Sequence, residues 1–263
     1  MNELVSIITP SYNTARFIGR TIECVRSQTY TNWEMLIVDD CSTDETDAVV
    51  ASFDDGRIRY FKNERNSGAA LSRNRALREA RGRYIAFLDS DDLWLPDKLE
   101  RQVRFMQETG AAFSYTNYYE MDEQGNRTGV LWTGPKKIGR KLMCTFNYMG
   151  CLTVMYDRDV VGLLQIADLK KRNDYALWIR ASEKAAAYLL PQALAVYRVR
   201  ESGSITSRNQ GTLRRLRFHY DLWRTGEGKN PVSALCLTGV NLVCGFLKKI
   251  IFRKSVRTPD NSI

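Results

Sequence analysis

The chain has 263 residues, of which 44% are hydrophobic and 26% are charged. This composition is that of an ordinary globular protein, and it suits one large domain with enough apolar material for a core. No internal repeat and no low-complexity segment is present, which excludes a repeat protein. The formal net charge is +9. The excess of basic residues lies at the C-terminal end, where residues 205–263 hold 11 Lys and Arg against 3 acidic residues.

The N-terminus shows no export signal, because Asn2 and Glu3 precede a short apolar run that lacks a small-residue cleavage site. The six cysteines show neither CxxC pairs nor the spacing of a metal site. The sequence therefore predicts a cytoplasmic protein whose cysteines are reduced thiols.

Apolar runs of strand length alternate with segments of helical periodicity over the first 115 residues. Parallel strands produce this alternation, since each crossover between them carries a helix. The pattern predicts an α/β fold with a doubly wound, mostly parallel sheet flanked by helices. The predicted strands are 4–9, 33–38, 58–61, 84–88 and 112–115, and the predicted helices are 16–28, 43–53, 69–80 and 96–109.

The pattern loosens from about 120 to 150, where glycines and Pro135 punctuate short segments. We interpret this stretch as an excursion over the edge of the sheet. Strands are predicted further along the chain at 151–155 and 193–197, with helices at 173–182, 210–223 and 231–252.

Polar side chains follow each of the first four predicted strands. The carboxyl ends of parallel strands meet at one edge of a doubly wound sheet, where such folds bind ligands. We therefore expect these segments to form one site. They are TPSYN (9–13), DDCSTD (39–44), NERNSG (63–68) and DSDD (89–92).

The DSDD segment places three carboxylates at the end of a buried strand. Asp89 and Asp91 are two residues apart, and they point to one side if the backbone stays extended. Oxygen ligands of this kind suit Mg²⁺ or Mn²⁺, which keep open positions for substrate phosphates. The alternative is that these residues cap the helix that begins near Pro96. Asp92 is undecided between the two roles.

The DDCSTD segment carries Asp39 and Asp40, for which ligand binding and helix capping are equally open. Together with the ring of Tyr12, a carboxylate here would grip a nucleobase through stacking and a hydrogen bond from an imino N–H. In the third predicted helix, Arg73 and Asn74 would reach the phosphates or ribose of a nucleotide, or else lie on a solvated face.

The chain carries, in this order, the motifs TPSYN, IVDDCSTDET, NSGAALSRNRA and GRYIAFLDSDDLWLPDKL. Together they resemble the motifs of family 2 glycosyltransferases with the GT-A fold. The similarity is close over residues 4–115 and continues more loosely to about 206. A second block, RNDYALWIR (172–180) followed by YRVRESGSIT (197–206), resembles the acceptor-binding half of bacterial members that build surface polysaccharides.

The resemblance implies an inverting enzyme that moves a hexose or N-acetylhexosamine from a nucleotide-diphosphate sugar, with UDP-sugars favoured, to a lipid-linked or polysaccharide hydroxyl group. It implies Mn²⁺ or Mg²⁺ as a cofactor, held by Asp91 at the donor diphosphate, and Asp174 as the catalytic base. Asp89 would lie at the ribose or the metal. The donor-binding residues would be Pro10, Tyr12, Asp40, Arg73, Asn74 and Asp89.

The chain departs from the family pattern at two positions. Many relatives have Glu-Asp where this chain has Asn173 and Asp174, and a common histidine is replaced by Arg200. Arg198, Arg200 and Trp178 are candidates for contact with the diphosphate or the acceptor, although Trp178 also lies at a core-like helix position. The predicted organisation is a donor-binding half (1–115), an acceptor-binding half of the same domain (116–206) and a basic tail (207–263).

The tail contains a largely apolar segment followed by basic residues. Val232 to Leu247 is a run of 16 residues, and a membrane-spanning helix needs about 20. The sequence therefore predicts an amphipathic helix on the anionic inner surface of a membrane, close to a lipid-linked acceptor. The alternative is a helix packed on the domain with a solvated basic end. Nucleic-acid binding is not expected, because the basic residues alternate with a long apolar face.

Two other classes of protein share some of these features. A nucleotidyltransferase acting on sugar phosphates would carry a loop rich in Gly and Lys/Arg after the first strand, and TPSYNTARF lacks it. A non-catalytic membrane-surface binding module would need only the tail. Metal-dependent hydrolysis of a nucleotide sugar would distinguish an enzyme from such a module.

Overall fold

The computed structural model describes residues 3–200 and 212–256, with side chains described from 216 in the second range. Four neighbouring parallel strands form one half of its sheet: β1 (Val5–Ser11), β2 (Trp33–Asp39), β3 (Ile58–Lys62) and β4 (Tyr84–Phe87). Their spatial order is β4–β1–β2–β3, which confirms the predicted α/β sheet flanked by helices. The helices that join them are α1 (Ala15–Arg26), α2 (Thr46–Ala51) and α3 (Ala69–Glu79).

The other half of the sheet mixes parallel and antiparallel pairs. Strand β9 (Met155–Asp157) lies antiparallel between β4 and β6 (Phe113–Met121), and β6 pairs in parallel with β10 (Ala187–Arg198). Strand β6 crosses residue 115, so the two predicted halves share one sheet. Their division stays a prediction, and the boundary at 206 lies outside the described residues.

The remaining elements are β5 (Leu93–Trp94), α4 (Lys98–Thr109), β7 (Arg127–Trp132), β8 (Lys137–Ile138), α5 (Arg140–Met143), α6 (Arg158–Val161), α7 (Asn173–Lys184), α8 (Thr212–Asp221) with a π turn at Leu222–Gly226, α9 (Pro231–Phe252) and β11 (Arg253–Ser255).

Alternate residues of the parallel strands pack into two cores on opposite faces of the sheet. Ile8 and Phe87 belong to the core that α3 and α7 cover, whereas Ile7 and Ala86 belong to the core that α1 and α4 cover. Because helices bury both faces, the strand ends are the part of this half of the sheet that remains open to a ligand.

The predicted strand at 151–155 is wrong in its first half. Residues Cys151–Thr153 form a 3₁₀ turn, and the strand begins at Met155. Trp94 Nε1 donates a hydrogen bond to the Leu152 carbonyl oxygen at 2.7 Å. This carbonyl is therefore satisfied by a side chain from β5 and needs no partner in the sheet.

Gly82 lies where the chain passes directly over strand β1. A Cβ atom at this position would lie 2.6 Å from the Leu4 carbonyl oxygen and 2.7 Å from the Ser6 amide nitrogen. We expect Gly82→Ala to lower the free energy of unfolding by about 1–3 kcal/mol, as overpacking of a core does. Denaturant unfolding would measure the loss against Gly56→Ala, because a Cβ at Gly56 meets no atom within 4 Å. Equal stability of the two variants would contradict this close approach.

Helix α9 packs on the domain with its polar side. It has 22 residues and is therefore about 33 Å long. Its buried residues are spaced along one face and include Thr238, Asn241 and Lys248, and β11 then pairs with β7 and attaches the C-terminal end. The opposite face is apolar and exposed. It carries Val232, Leu235, Val243, Phe246 and Ile250, all more than 60% exposed.

Helix α9 is the one helix in the described part of the chain that has the length and apolar composition needed to cross a membrane. The run of 16 residues ends at Leu247, before Lys248, and the helix continues to Phe252 as predicted. The expectation that this helix does not span a membrane stays a prediction. Its contacts still favour a helix that lies along the domain. A spanning helix would have to carry its buried polar face and the β11–β7 pairing into the bilayer with it.

Candidate active site

Hydrogen bonds between loops join the first two strand ends. The Asp40 amide donates to the Ser11 carbonyl oxygen (2.8 Å), the Asn13 amide to Ser42 Oγ (2.8 Å), and the Thr43 amide to Asn13 Oδ1 (2.9 Å). The predicted meeting of these segments at one edge of the sheet is thus observed.

Pro10 and Tyr12 lie beside these loops and differ in exposure. Pro10 is buried in β1, whereas the Tyr12 side chain is 47% exposed. An exposed aromatic ring at the carboxyl edge of the sheet is available to stack on a planar ligand. A role for either residue at a nucleoside stays a prediction.

Asp40 is buried, and three groups of the chain already donate to its carboxylate. They are Asn63 Nδ2 (2.9 Å), the Ser67 amide (2.9 Å) and the Gly68 amide (2.6 Å). A carboxylate offers about four acceptor positions, so one remains for an N–H group of a ligand. Asp40 therefore holds the third strand-end segment in place, and it does not cap α2, which was the alternative.

A buried arginine links α3 to the end of β4. Arg73 Nη2 forms an ion pair with Asp89 Oδ1, and Arg73 Nη1 donates to Asn173 Oδ1 at 2.6 Å. Arg73 is 6% exposed, and a buried charge requires a partner of this kind. Arg73 thus pairs with Asp89 within the chain. Asn173, one of the two positions at which the chain departs from the family pattern, supplies a neutral acceptor for the same guanidinium.

Two arginines from the end of β10 cover the remaining carboxylates of DSDD. Arg200 Nη1 lies 3.2 Å from Asp91 Oδ2, and the Arg198 amide donates to Asp92 Oδ1 at 2.8 Å. Burial, followed by the charge of Asp89, raises the pKa of Asp91, and Arg200 opposes the rise. Burial also raises the pKa of Asp92 well above its usual value, with further contributions from Asp91 and Asp89. The charge of the three carboxylates is therefore compensated only in part by the chain, by Arg73 at Asp89 and by Arg200 at Asp91.

The fit of this cluster to a metal ion depends on how many ligands the ion needs from the protein. Within residues 3–200 and 212–256, no three His, Cys, Asp or Glu side chains are grouped to hold an ion. Mg²⁺-type sites commonly use one or two carboxylates together with substrate phosphates. The Asp91 side chain is 21% exposed, and Asp92 Oδ2 is buried without a hydrogen bond. The Asp91 carboxylate, the more exposed of the two, fits a hard divalent cation that is shared with a diphosphate.

A cavity of about 690 Å³ lies between the carboxyl edge of the sheet and α9, a size typical of small-molecule sites. Asp89 lines it from the end of β4, and Asp174 lines it from the first turn of α7. Asn147 Nδ2 donates to Asp174 Oδ2 at 3.1 Å, and Lys248 Nζ donates to the Asn147 carbonyl oxygen at 2.9 Å. The predicted donor-side carboxylate and the predicted base thus face one cavity.

Asn147, which donates to the predicted base, was not revealed by the sequence because it lies in the irregular stretch from 120 to 150. Removing its amide should take away the hydrogen bond that holds Asp174 Oδ2. We expect Asn147→Ala to lower kcat roughly 10-fold, the effect of losing one hydrogen bond to a charged group, with little change in donor KM. The matched control is Asn126→Ala, since Asn126 Nδ2 makes the same kind of bond to Asp122 (3.0 Å) in an exposed turn. Equal kcat values for both variants would show that Asn147 does not contribute to the site.

Helix α9 forms a wall of the cavity, which the sequence also did not reveal. Asn241, Gly245 and Lys248 line the cavity from α9, together with His219 from α8. His219 Nδ1 lies 3.1 Å from Asn241 Oδ1, and burial lowers the pKa of His219 to about 4, so the ring is neutral near pH 7. The signal in the sequence was the spacing of Thr238, Asn241 and Lys248 in a largely apolar helix.

Two predicted ligand contacts are corrected by the side-chain positions. Asn74 is buried and uses both ends of its amide on the backbone of Ile166, at 2.6 and 2.8 Å. Trp178 is fully buried, packs edge-on against Phe87 at 4.9 Å between ring centroids, and does not line the cavity. Asn74 therefore serves as a clamp between two segments, and Trp178 belongs to the core.

Arg198 also differs from its predicted role. It is 3% exposed, and its guanidinium donates to the carbonyl oxygens of Asp91 (2.8 Å) and Glu123 (3.0 Å). These bonds tie β10 to the DSDD turn and to the turn after β6. The Arg198 side chain therefore holds the loops around the site together, whereas the Arg200 side chain pairs with a carboxylate of the site.

The chain matches the model of the family described as glycosyl transferase family 2 over residues 6–161. It is 42% identical over 220 residues to TuaG of Bacillus subtilis (strain 168), a glycosyltransferase ascribed to teichuronic acid biosynthesis, with 82% of this chain and 87% of TuaG covered. It is 43% identical over 176 residues to WfgD of Escherichia coli, named as a UDP-Glc:alpha-D-GlcNAc-diphosphoundecaprenol beta-1,3-glucosyltransferase, with 67% of this chain and 68% of WfgD covered.

Two solved structures share the fold at low sequence identity. TarS from S. aureus in complex with UDP-GlcNAc superposes with a TM-score of 0.72 at 20% identity, covering 93% of this chain and 73% of the TarS chain. The mannosyltransferase PcManGT from Pyrobaculum calidifontis, in complex with GDP-Man and Mn²⁺, gives a TM-score of 0.63 at 16% identity, with 94% and 76% covered. This likeness confirms the GT-A-like fold. Given the extent of the family match and the identity to curated relatives over most of their length, the chain belongs to glycosyltransferase family 2.

Proposed function

We propose that the chain transfers a sugar from a UDP-sugar to a hydroxyl group of a lipid-linked acceptor in the synthesis of a bacterial surface glycan, with inversion at the anomeric carbon. The observation that carries the proposal is the cavity that Asp89 and Asp174 share. The substrate classes are supported by WfgD, named for UDP-Glc and a diphosphoundecaprenol acceptor, and by the UDP-GlcNAc complex of TarS. A hexose and an N-acetylhexosamine are both consistent with these names.

The donor nucleotide is proposed to lie along the carboxyl edge of the parallel strands. The Tyr12 ring would stack on the base, and the remaining acceptor position of Asp40 would receive a base N–H group. Asp89 would meet the ribose, held in position by its ion pair with Arg73. Because Asp89 is pre-positioned by a buried partner, donor binding does not have to pay for ordering it.

The proposed metal, Mn²⁺ or Mg²⁺, would be held by Asp91 together with the donor phosphates. When bound, it would stabilise the negative charge that develops on the leaving nucleoside diphosphate. Arg200 forms an ion pair with Asp91. The chain therefore already places one positive charge on the side of the site where the charge of the leaving group would be neutralised. The Mn²⁺ complex of PcManGT supports a divalent ion in this fold.

Asp174 is proposed to accept the proton of the acceptor hydroxyl group. The hydroxyl oxygen then forms a bond to the anomeric carbon while the bond from that carbon to the diphosphate oxygen breaks, and the nucleoside diphosphate leaves from the opposite side. Asn147 orients the Asp174 carboxylate for this transfer through its 3.1 Å hydrogen bond. One displacement of this kind inverts the anomeric configuration.

The exposed face of α9 is proposed to lie on the inner surface of the cytoplasmic membrane. An apolar face of this length would enter the interface region, and the exposed Lys249, Arg253 and Lys254 at its end would meet anionic lipid headgroups. This placement brings the cavity to the surface from which a lipid-linked acceptor projects. Family membership disfavours the two rival classes, a nucleotidyltransferase and a non-catalytic membrane-surface module.

Thermal unfolding in the presence of nucleotide sugars tests the donor part of the proposal. We expect UDP-sugars to raise Tm more than GDP- or TDP-sugars, and we expect the rise to require Mn²⁺ or Mg²⁺ and to disappear with a chelator, because binding to the folded state stabilises it. The variant Asp91→Asn should lose the metal-dependent part. No metal-dependent rise with any nucleotide sugar would overturn the donor site described above.

A further inference from the structure

The cavity is divided by charge. Its carboxylates, Asp89, Asp92 and Asp174, lie on the side of the sheet and of α7, where Arg73 also lines the cavity and pairs with Asp89. On the side of α9 and of the segment that precedes α7, four cationic side chains line the same cavity. We call this group the basic rim, and its members are Lys171, Arg172, Lys248 and Lys249.

Lys248 is the buried member of the basic rim. Its side chain is 8% exposed, although it lines the cavity, and Nζ lies 5.4 Å from the ring centroid of Trp132 and 5.6 Å from that of Phe146. In the described part of the chain its hydrogen-bond partner is the Asn147 carbonyl oxygen, and an ammonium group can donate three hydrogen bonds. Burying an ammonium group with so few partners is unfavourable. An anion in the cavity would supply the further hydrogen-bond acceptors that this ammonium group requires.

Arg172, one member of the basic rim, has an unusual backbone conformation. Its φ angle is +60°, in the left-handed region that non-glycine residues seldom adopt. Backbone strain of this kind persists where the surrounding structure enforces it, and such places are often functional. Arg172 directly precedes α7, whose positive N-terminal end adds to the potential for an anion at this point.

The basic rim lies next to the exposed apolar face of α9, which is proposed to lie on the membrane. This position indicates which anion the rim would bind. Lys248 and Lys249 are followed directly by Ile250 and Ile251, which are more than half exposed on the outer face of α9. A lipid that lies in the bilayer beside α9 would therefore present its first polar group next to the rim. In a lipid-linked acceptor of the proposed type, that first group is a diphosphate.

We propose that the basic rim binds the diphosphate that joins the acceptor sugar to its lipid, at a site separate from the donor diphosphate site at Asp91. This inference rests on the proposed transfer to a lipid-linked acceptor. It adds that the enzyme recognises the charged linker as well as the sugar, and that the C-terminal extension completes the acceptor site.

Two acceptors that carry the same sugar test the proposal. In one the sugar is joined to an alkyl chain through a diphosphate, and in the other it is joined directly as an uncharged alkyl glycoside. Both are presented in uncharged detergent micelles. The variants are Lys248→Gln and Lys249→Gln. The control is Lys184→Gln, because Lys184 is exposed at the end of α7 and lies outside the cavity. We expect wild type and the control to prefer the diphosphate acceptor. Each rim variant should lose roughly 10-fold or more of that preference through the acceptor KM, as expected for a charged hydrogen bond.

The outcomes separate this inference from the proposed function. Equal losses with both acceptors would show that the rim is structural and would overturn the inference, while transfer to the uncharged glycoside would leave the proposed function standing. Transfer to neither acceptor would overturn both. Lys249 is exposed, so its variant should fold even if the buried Lys248 variant does not.

A competition measurement distinguishes the acceptor diphosphate from the headgroups of ordinary anionic lipids. We expect a sugar-free alkyl diphosphate to compete with the diphosphate acceptor in wild type and to compete at least 10-fold less well in the Lys249→Gln variant. Short-chain phosphatidylglycerol should compete weakly with both proteins. Equal competition by phosphatidylglycerol and alkyl diphosphate would show a general contact with anionic lipid and would overturn the diphosphate site.

Discussion

Replacing Asp174 with Asn is expected to reduce glycosyl transfer by about 10²–10⁴-fold while donor affinity stays close to that of wild type. A positioned general base contributes a factor of this size. The asparagine oxygen can still accept the hydrogen bond from Asn147, so the geometry of the site should persist while the proton acceptor is lost. Single-turnover transfer together with donor binding measured by calorimetry separates the two effects.

The control for this variant has to account for the position of Asp174 in the first turn of a helix, where an acidic residue also favours helix stability. Asp47 lies in the first turn of α2 and pairs with Lys62 at the surface, so Asp47→Asn removes an equivalent charge away from the cavity. Its transfer rate should match wild type. Near wild-type turnover of Asp174→Asn would show that another group is the base.

Replacing Asp91 with Asn is expected to lower transfer by on the order of 10²–10³-fold, which corresponds to the several kcal/mol that a metal contributes by stabilising transition-state charge. The amide keeps the shape of the side chain and loses its negative charge, so the dependence of the rate on Mn²⁺ concentration should also flatten. The rate measured over a range of Mn²⁺ concentrations checks both effects.

Asp92→Asn is the matched control for this charge. Asp92 is 1% exposed, and an amide oxygen at its Oδ1 position can still accept the bond from the Arg198 amide. We expect its metal dependence to resemble wild type. A similar flattening of the metal response in both variants would indicate that the cluster as a whole, and not Asp91, holds the ion.

The parallel half of the sheet and the meeting of its strand ends were predictable from the sequence. Strands such as β1 and β2 are buried along their whole length, and they therefore appear as mainly apolar runs between polar loops. The edge at which those loops meet follows from the direction of parallel strands alone. For this reason Asp40, Asp89 and Asp91 lie where the sequence placed them.

The direction of individual side chains was less predictable, because contacts between distant parts of the chain decide it. Asn74 turns to the backbone of Ile166, which lies 92 residues away along the chain, and Arg198 turns to the carbonyl oxygen of Asp91. Neither contact leaves a periodic signal in the sequence. The same holds for Asn147, whose segment lacks the regular pattern from which a strand or helix is predicted.

The tail illustrates a different limit of the sequence. Its apolar composition correctly predicted a helix with an exposed apolar face, but composition does not show which face meets the domain. The structure turns Asn241 and Lys248 inward, where they line the cavity, so the tail contributes to the site itself. A polar residue at helical spacing within an apolar helix is therefore as informative here as the carboxylates of the DSDD segment.

The configuration of the new glycosidic bond tests the central claim most directly. The full chain, a UDP-sugar, Mn²⁺ and a sugar-diphosphate-lipid acceptor would be incubated together, and the product would be analysed by proton NMR at the anomeric position. A single displacement with Asp174 as the base predicts one new linkage of configuration opposite to that of the donor. A product that retains the donor configuration, or the absence of any transfer product, would contradict it.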